Sequence, residues 1–238
     1  MDELYLNRIF INQKSRKGLN SLQTPYHAHA TIMRAFPEIQ PCEANILYRI
    51  ENANEGLKFG EDYLPIVIQS RIRPDLKILQ DYFLDNILID QERVLTNIHL
   101  IAGENYRFRL RANPIITKSD NQGRLSQSVK RKGKVKKCKI PLIGEEAQKT
   151  WLENKGKFVR NNPEGEKIPG GFTIKECMVL PESTWSVLQD KKNEISIKTV
   201  LFEGILEVIN IQDFKYTLIN GIGPAKAFGC GLLSLARI

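Results

Sequence analysis

The alternation of apolar and polar positions predicts a first unit of strands and helices in the N-terminal third of the chain. Thr24 and Pro25 are typical of the N-cap and first turn of a helix, and they fix where the first long helix begins. The expected elements are a strand over 4–12, a basic polar loop over 15–23, a helix over 24–36, strands over 45–52 and 63–70, a helix over 73–88 and a short strand near 93–100.

The remainder of the chain repeats this order of elements without repeating the sequence. The expected elements are a strand over 105–114, a helix over 144–156, strands over 171–180, 183–189 and 195–210, a helix over 211–221 and a last strand in "LLSLAR". Two successive βαββαβ units predict an α+β fold of two tandem ferredoxin-like (RRM-like) domains with antiparallel sheets. We expect the domains to span residues 1–90 and 91–238.

The excess of positive charge is concentrated in one short segment. The net charge is +8, and residues 130–139, "KRKGKVKKCK", contain seven basic residues and no acid, so that the rest of the chain has a net charge of only +1. Such a patch favours a polyanionic partner, above all a nucleic acid. A solvated charge run or a membrane surface are the alternatives. Because residues 117–129 are polar, we expect a presented basic loop over 117–139.

The composition argues against several classes of function. Four cysteines without a CxxC pair, together with three histidines, disfavour a zinc site, and we expect no metal or other cofactor. The chain lacks a Walker A frame and a cluster of carboxylates for two metal ions. No apolar run reaches the ~18 residues of a membrane span, and the first residues do not resemble a secretory signal. We therefore expect a soluble, cytoplasmic protein.

Two residues of "PYHAH" are candidates for proton transfer. Tyr26 and His29 are three positions apart and share a helix face, whereas His27 points to the other side. Metal-free RNA cleavage needs only a general base, a general acid and a cation, because the RNA supplies its own 2′-OH nucleophile. Packing of both rings against the sheet is the alternative.

Glycine is concentrated near the C-terminus, in "GIGPAKAFGCG" over 221–231. Glycines let backbone N–H groups approach a ligand closely, and Lys226 among them suggests a phosphate. A tight loop that leads into the last strand is the alternative.

Taken together, "NRIFIN", "PYHAHATIMRAFP", "YRFRLRANP", "VLFEGILEV" and "GIGPAKAFGCGLLSLA" resemble the CRISPR repeat-RNA endoribonucleases of the CasE type, the processing nucleases of the type I-E Cascade complex. The resemblance extends over essentially the whole chain. It implies binding of a CRISPR repeat hairpin and one metal-free cut of the precursor at the 3′ base of the stem. The products are a 2′,3′-cyclic or 3′-phosphate and a 5′-OH. The expected partners are precursor and mature crRNA and the other Cascade subunits, with no membrane.

The resemblance also assigns roles to residues. It implies Tyr26 and His29, not His27, as the catalytic pair, in either order of acid and base, and Arg34 as a nearby cation. The implied RNA contacts are Lys226, Gly221, Gly223 and Gly229 of the glycine segment, Lys130, Arg131, Lys132, Lys134, Lys136, Lys137 and Lys139 of the basic run, and Arg107, Arg109 and Arg111 on one face of a strand. The glycines are expected to approach the RNA backbone or to shape the groove between the domains. A non-catalytic subunit that only holds the hairpin is the main alternative, and a DNA-binding module is a weaker one.

Overall fold

Two four-stranded antiparallel sheets form the frame of the protein. The computed structural model describes residues 3–37, 45–51, 59–120, 136–161, 167–190 and 193–238. In both sheets the first strand of the unit lies between the third and the fourth, and the second strand is at the edge. This is the ferredoxin-like strand order, so the predicted fold of two tandem ferredoxin-like units is confirmed.

The described residues of the first unit form strands and helices in the predicted order. They are β1 (Leu4–Asn12), α1 (Arg16–Leu22), α2 (Pro25–Met33), β2 (Leu47–Ile50), β3 (Tyr63–Ser70), α3 (Leu76–Phe83), a 3₁₀ turn (Leu84–Asn86) and β4 (Ile87–Leu95). The sheet order is β2-β3-β1-β4, and every pair of neighbours is antiparallel.

The second unit repeats this plan and adds two short ribbons. Its elements are β5 (Asn105–Ala112), β6 (Ile115–Asp120), β7 (Lys136–Pro141), α4 (Glu145–Lys157), β8 (Arg160–Asn161), β9 (Lys167–Ile168), β10 (Phe172–Asp190), β11 (Asn193–Val208), α5 (Ile211–Asn220), a 3₁₀ turn (Lys226–Phe228) and β12 (Leu233–Arg237). The sheet order is β10-β11-β5-β12. Strands β6 and β7 pair as the base of a hairpin, and residues 121–135 of the predicted basic loop lie outside the described residues.

The first unit differs from the predictions in two places. The expected loop over 15–23 is largely the helix α1, because the Ser15 side chain caps it by accepting a hydrogen bond from the N–H of Gly18. The last strand begins at Ile87 and pairs with β1, so the predicted position near 93–100 was wrong. The expected domain boundary at residue 90 falls inside this strand, and we propose a boundary after Leu95.

The second unit differs in the predicted basic loop over 117–139, whose ends, 117–120 and 136–139, belong to the paired strands β6 and β7, and in the strand at its edge. The two strands predicted over 171–180 and 183–189 are one strand, β10, which continues past Pro181. Its register against β11 shifts between Pro181 and Thr184, which marks a bulge. Proline is tolerated there because an edge strand at a bulge does not need every N–H group for pairing.

Each unit has its own hydrophobic core between its sheet and its helices. Alternation along β5 shows the division clearly: Tyr106, Phe108 and Leu110 are buried, and the three arginines between and after them lie on the opposite face. The core of the first unit includes Ile9, Ile11, Ile32, Tyr48, Ile66, Ile68, Leu79 and Phe83. No helix among the described residues is long and apolar enough to cross a membrane.

Polar contacts join the two units along β2 and β3. Arg49, whose side chain is 3% exposed, forms an ion pair with Glu51 and donates hydrogen bonds to the carbonyl oxygens of Arg109 and Leu232. Gln69 donates to the carbonyl oxygen of Leu218 at 2.9 Å. The second strand of the first sheet is therefore fixed against the second unit.

Candidate active site

Helix α2 begins as its sequence predicts. The hydroxyl of Thr24 accepts a hydrogen bond from the N–H of His27 at 3.2 Å, and Pro25 occupies the first turn. The same hydroxyl lies 2.8 Å from Nδ1 of the His27 ring. His27 is exposed, and both its backbone and its ring belong to the cap of the helix.

His29 is half-buried against the edge strand of the first sheet. Its ring stacks on that of Tyr48 in β2, with centroids 6.3 Å apart and planes inclined by 17°. Burial lowers the pKa of His29 below its ordinary value of 6.5. A lowered pKa favours the uncharged imidazole at neutral pH, which is the form that accepts a proton. Tyr26 lies one turn earlier on α2 and is 60% exposed, so its hydroxyl is open to solvent.

Arg34 follows the last turn of α2 and is exposed. Its guanidinium lies over the ring of Tyr82 in α3, 4.4 Å from the ring centroid. His29 contacts Tyr48 instead, so the two side chains have different neighbours in this structure. The predicted catalytic role of Arg34 stays a prediction.

The glycine segment over 221–231 packs against the first unit. Gly221 and Gly229 are buried, and their backbones have φ of +72° and +79°. A Cβ atom on Gly229 would come within 3.2 Å of the Tyr48 ring, and one on Gly221 within 2.8 Å of the Leu47 side chain. These two glycines therefore approach the other domain closely, and their predicted contact with RNA stays a prediction.

The other predicted residues of this segment also contact protein. A Cβ atom on Gly223 would come within 2.9 Å of the Trp151 ring in α4. The ammonium group of Lys226 donates a hydrogen bond to the carbonyl oxygen of Asn220, the last residue of α5. A cation at the C-terminus of a helix is favourable, because the last carbonyl groups carry partial negative charge. The predicted phosphate contact of Lys226 stays a prediction.

The three arginines on β5 have different surroundings. Arg107 is exposed. Arg109 pairs with Glu203 and Glu51. Arg111, 17% exposed, is held by both carboxylate oxygens of Glu182 and donates to the carbonyl oxygen of Ile50. Arg109 and Arg111 therefore form ion pairs within the protein, whereas Arg107 is exposed, and the predicted contact of the three arginines with RNA stays a prediction.

One lysine of the basic run has a described side chain. Lys139 is exposed on β7, opposite Thr117 of β6. Lys136 and Lys137 lie on the same strand, without a described side chain, and Lys130, Arg131, Lys132 and Lys134 lie outside the described residues. In the part of the chain that the structure describes, no group of three or more His, Cys, Asp or Glu side chains could hold a metal ion.

Three residues of this region, Tyr48, Arg49 and Glu51, are not among the predicted site residues. Tyr48 is 1% exposed, and its hydroxyl lies 3.1 Å from the carbonyl oxygen of Pro25 and 3.0 Å from that of Ala227. It therefore connects the first turn of α2 to the glycine segment. The available signal was the alternation of "LYRIE", which places Arg49 and Glu51 on one face of a predicted strand.

The fold is two ferredoxin-like domains in tandem. One helix carries Tyr26 and His29, whose lowered pKa favours the uncharged form, and this helix meets the glycine segment of the second domain. The protein therefore has the groups needed for acid–base chemistry where its two domains meet. The chain belongs to the family described as CRISPR associated protein, whose sequence model matches residues 4–237. This confirms the resemblance drawn from the sequence motifs.

Individual relatives are similar over their whole length. The CRISPR system Cascade subunit CasE of Escherichia coli is 29% identical over 237 residues, covering 99% of this chain and 100% of the relative. The CRISPR-associated endoribonuclease Cse3 of Thermus thermophilus is 29% identical over 247 residues, covering 98% and 100%. A structure of Thermus thermophilus Cse3 bound to an RNA representing a pre-cleavage complex has a TM-score of 0.71 at 28% identity, covering 99% and 100%.

Proposed function

We propose that this protein is a CRISPR endoribonuclease, which binds the repeat hairpin and cuts the precursor RNA at the 3′ base of the stem. The observation that carries this proposal is the half-buried His29 one helical turn after the exposed Tyr26, in a chain related from end to end to a CRISPR endoribonuclease. We also propose that the protein acts in the cytoplasm and stays bound to its product as a Cascade subunit.

The lowered pKa of His29 favours this residue as the general base. Its imidazole takes the proton of the 2′-OH group next to the scissile phosphate, and the 2′ oxygen attacks phosphorus. The bond between phosphorus and the 5′ oxygen breaks as that oxygen takes a proton from the phenol of Tyr26. The products are a 2′,3′-cyclic phosphate and a 5′-OH, and no metal ion takes part in any of these steps.

Arg34 is the proposed cation for the charge that develops on the phosphate. In the absence of RNA its guanidinium rests on the Tyr82 ring. A cation–π contact at an exposed site contributes only about 0.5–1 kcal/mol. Moving the Arg34 side chain from the Tyr82 ring to a phosphate bound near α2 therefore costs little free energy.

The proposed RNA-binding surface consists of the basic run and the exposed arginine of β5. Lys139 and Arg107 are exposed, as phosphate contacts require. A-form RNA hides its base edges in a deep and narrow groove, so contacts to phosphates and 2′-hydroxyl groups dominate the recognition of a stem. The basic run at 130–139 provides seven positive charges for such contacts.

Single-turnover cleavage of the repeat RNA in excess EDTA tests the proposal. Wild-type protein and His27→Ala should cut the RNA. His29→Ala should not, and an RNA with a single 2′-deoxy substitution at the cut should resist every protein. His27→Ala is the matched control, because this exposed histidine lies two positions away on the same helix. Tight binding without cleavage by the wild type would instead identify a subunit that only holds the RNA.

A further inference from the structure

Tyr48 lies between the proposed catalytic helix and the glycine segment. It is 1% exposed on the edge strand β2. Its hydroxyl has one hydrogen and two acceptors within reach, the carbonyl oxygens of Pro25 and Ala227. Pro25 is the first residue of α2, and Ala227 belongs to the 3₁₀ turn of the glycine segment. One buried hydroxyl thus connects the start of α2 to the second domain.

The ring of Tyr48 has two further neighbours. His29 stacks on it with nearly parallel planes, in the offset range that aromatic pairs prefer. Gly229 approaches the same ring so closely that a Cβ atom would lie 3.2 Å from Cε2 and 3.7 Å from Cδ2 and Cζ. The left-handed φ of +79° at this residue also favours glycine. The second domain thus restricts the ring against which His29 packs.

His29 depends on this packing for its orientation. Among the residues that the structure describes, none offers a hydrogen-bond partner to its buried Nδ1. A catalytic histidine that acts as a base is commonly oriented by a hydrogen bond that the N–H of its non-reacting nitrogen donates to a third group. Here the stacked Tyr48 ring takes the place of such a group.

We infer that Tyr48 is a positioning residue for His29, and that Gly229 of the glycine segment acts on cleavage through its contact with Tyr48. This inference rests on the proposed role of His29 as the general base. It explains why residues at opposite ends of the chain are joined at one buried hydroxyl. It also assigns Gly229 a contact that any larger residue would disturb.

Two variants of Tyr48 separate the ring from its hydroxyl. Tyr48→Leu removes the stacked ring, and Tyr48→Phe keeps the ring but removes both carbonyl contacts. Tyr106→Phe is the matched control: it removes a hydroxyl from another buried tyrosine, which accepts a hydrogen bond from the N–H of Ile101 in the second unit. His29→Ala is included to test the base itself.

The measurements are the single-turnover rate at saturating RNA between pH 5 and 8, the dissociation constant of the hairpin, and the pKa of His29 by NMR. Tyr48→Leu should reduce the rate about 10–100-fold, which is less than the loss of about 10²–10⁴-fold expected when a general acid or base is removed, and should change the dissociation constant less than about 3-fold. It should also raise the pKa of His29 toward 6.5, because water then reaches the imidazole. Tyr48→Phe should keep the wild-type pKa of His29 and should cleave at a rate between those of the wild type and Tyr48→Leu. Tyr106→Phe should match the wild type in both properties.

Gly229→Ala provides a second test if Tyr48→Leu does not fold. A methyl group against the Tyr48 ring should slow cleavage without weakening binding of the hairpin. Weaker binding at an unchanged rate would show that the segment contacts RNA, and would overturn the inference. A Tyr48→Leu protein as fast as the wild type, beside an inactive His29→Ala protein, would refute only the positioning role. Full activity of His29→Ala would refute the proposed base as well.

Discussion

Replacing Arg49 by methionine should make the first domain less stable than the second, so that the two domains no longer unfold together. The guanidinium is buried and forms four kinds of contact: to the Glu51 carboxylate at 2.6 Å, to the carbonyl oxygens of Arg109 at 3.2 Å and Leu232 at 3.1 Å, and to the Ser234 hydroxyl at 2.9 Å. Three of the four acceptors belong to the second domain. Methionine fills a similar volume but donates no hydrogen bond.

The size of the effect follows from what the substitution leaves behind. The Glu51 carboxylate is 6% exposed and, among the described residues, would keep Arg109 at 3.4 Å as an ion-pair partner together with the more distant charge of Arg111. Removing one member of a buried ion pair costs about 3–5 kcal/mol, because the remaining charge is neither solvated nor compensated. The double variant Arg49→Met/Glu51→Met should therefore be less destabilised than Arg49→Met alone.

Urea titration by two probes measures this effect. Both tryptophans of the chain lie in the second domain, so their fluorescence follows that domain, whereas circular dichroism follows both. We expect the first domain of Arg49→Met to unfold at a lower urea concentration, so that the two curves separate. Arg93→Met, at an exposed arginine of β4, is the control and should lie within about 0.5 kcal/mol of the wild type. An Arg49→Met protein as stable as this control would refute the reasoning.

Three further outcomes follow from the same structure. The cleavage rate should rise with pH and reach half its maximum below pH 6.5, because the pKa of His29 is lowered and the base must be unprotonated. In the same single-turnover assay, a rate that falls over pH 5–8 would identify His29 as the acid. Arg107→Ala should lower the slope of log K for hairpin binding against log salt concentration by about 1, with little change in unfolding free energy. Arg111→Ala should instead lower the unfolding free energy by about 3–5 kcal/mol, because it leaves Glu182 unpaired. Equal effects of the two variants in parallel filter-binding and urea titrations would contradict this. Replacing the seven basic residues of 130–139 by glutamine should reduce that slope by up to about 6, and an unchanged slope would exclude the run from the interface.

Local sequence signals predicted most elements and their order. Thr24 and Pro25 were sufficient to place the start of α2, because capping depends on residues only a few positions apart. Ser15 is a similar capping signal for α1, but the basic and polar residues around it indicated a loop. Strand β10 was divided at Pro181 because the sequence does not show that this strand is at an edge, where proline is tolerated.

The sequence by itself determined the two ferredoxin-like units, the basic run, and the helix that carries Tyr26 and His29, since each follows from periodicity or composition within a short window. Only the tertiary structure decided which arginine side chains are exposed and which form ion pairs within the protein. Arg107, Arg109 and Arg111 are equivalent in the alternating pattern, and partners on other strands determine which of them is exposed. The contact of Tyr48 with Ala227 likewise joins residues 179 positions apart, in two different domains. No local pattern specifies such a pair, because it arises only when the second strand of one sheet packs against the glycine segment of the other domain.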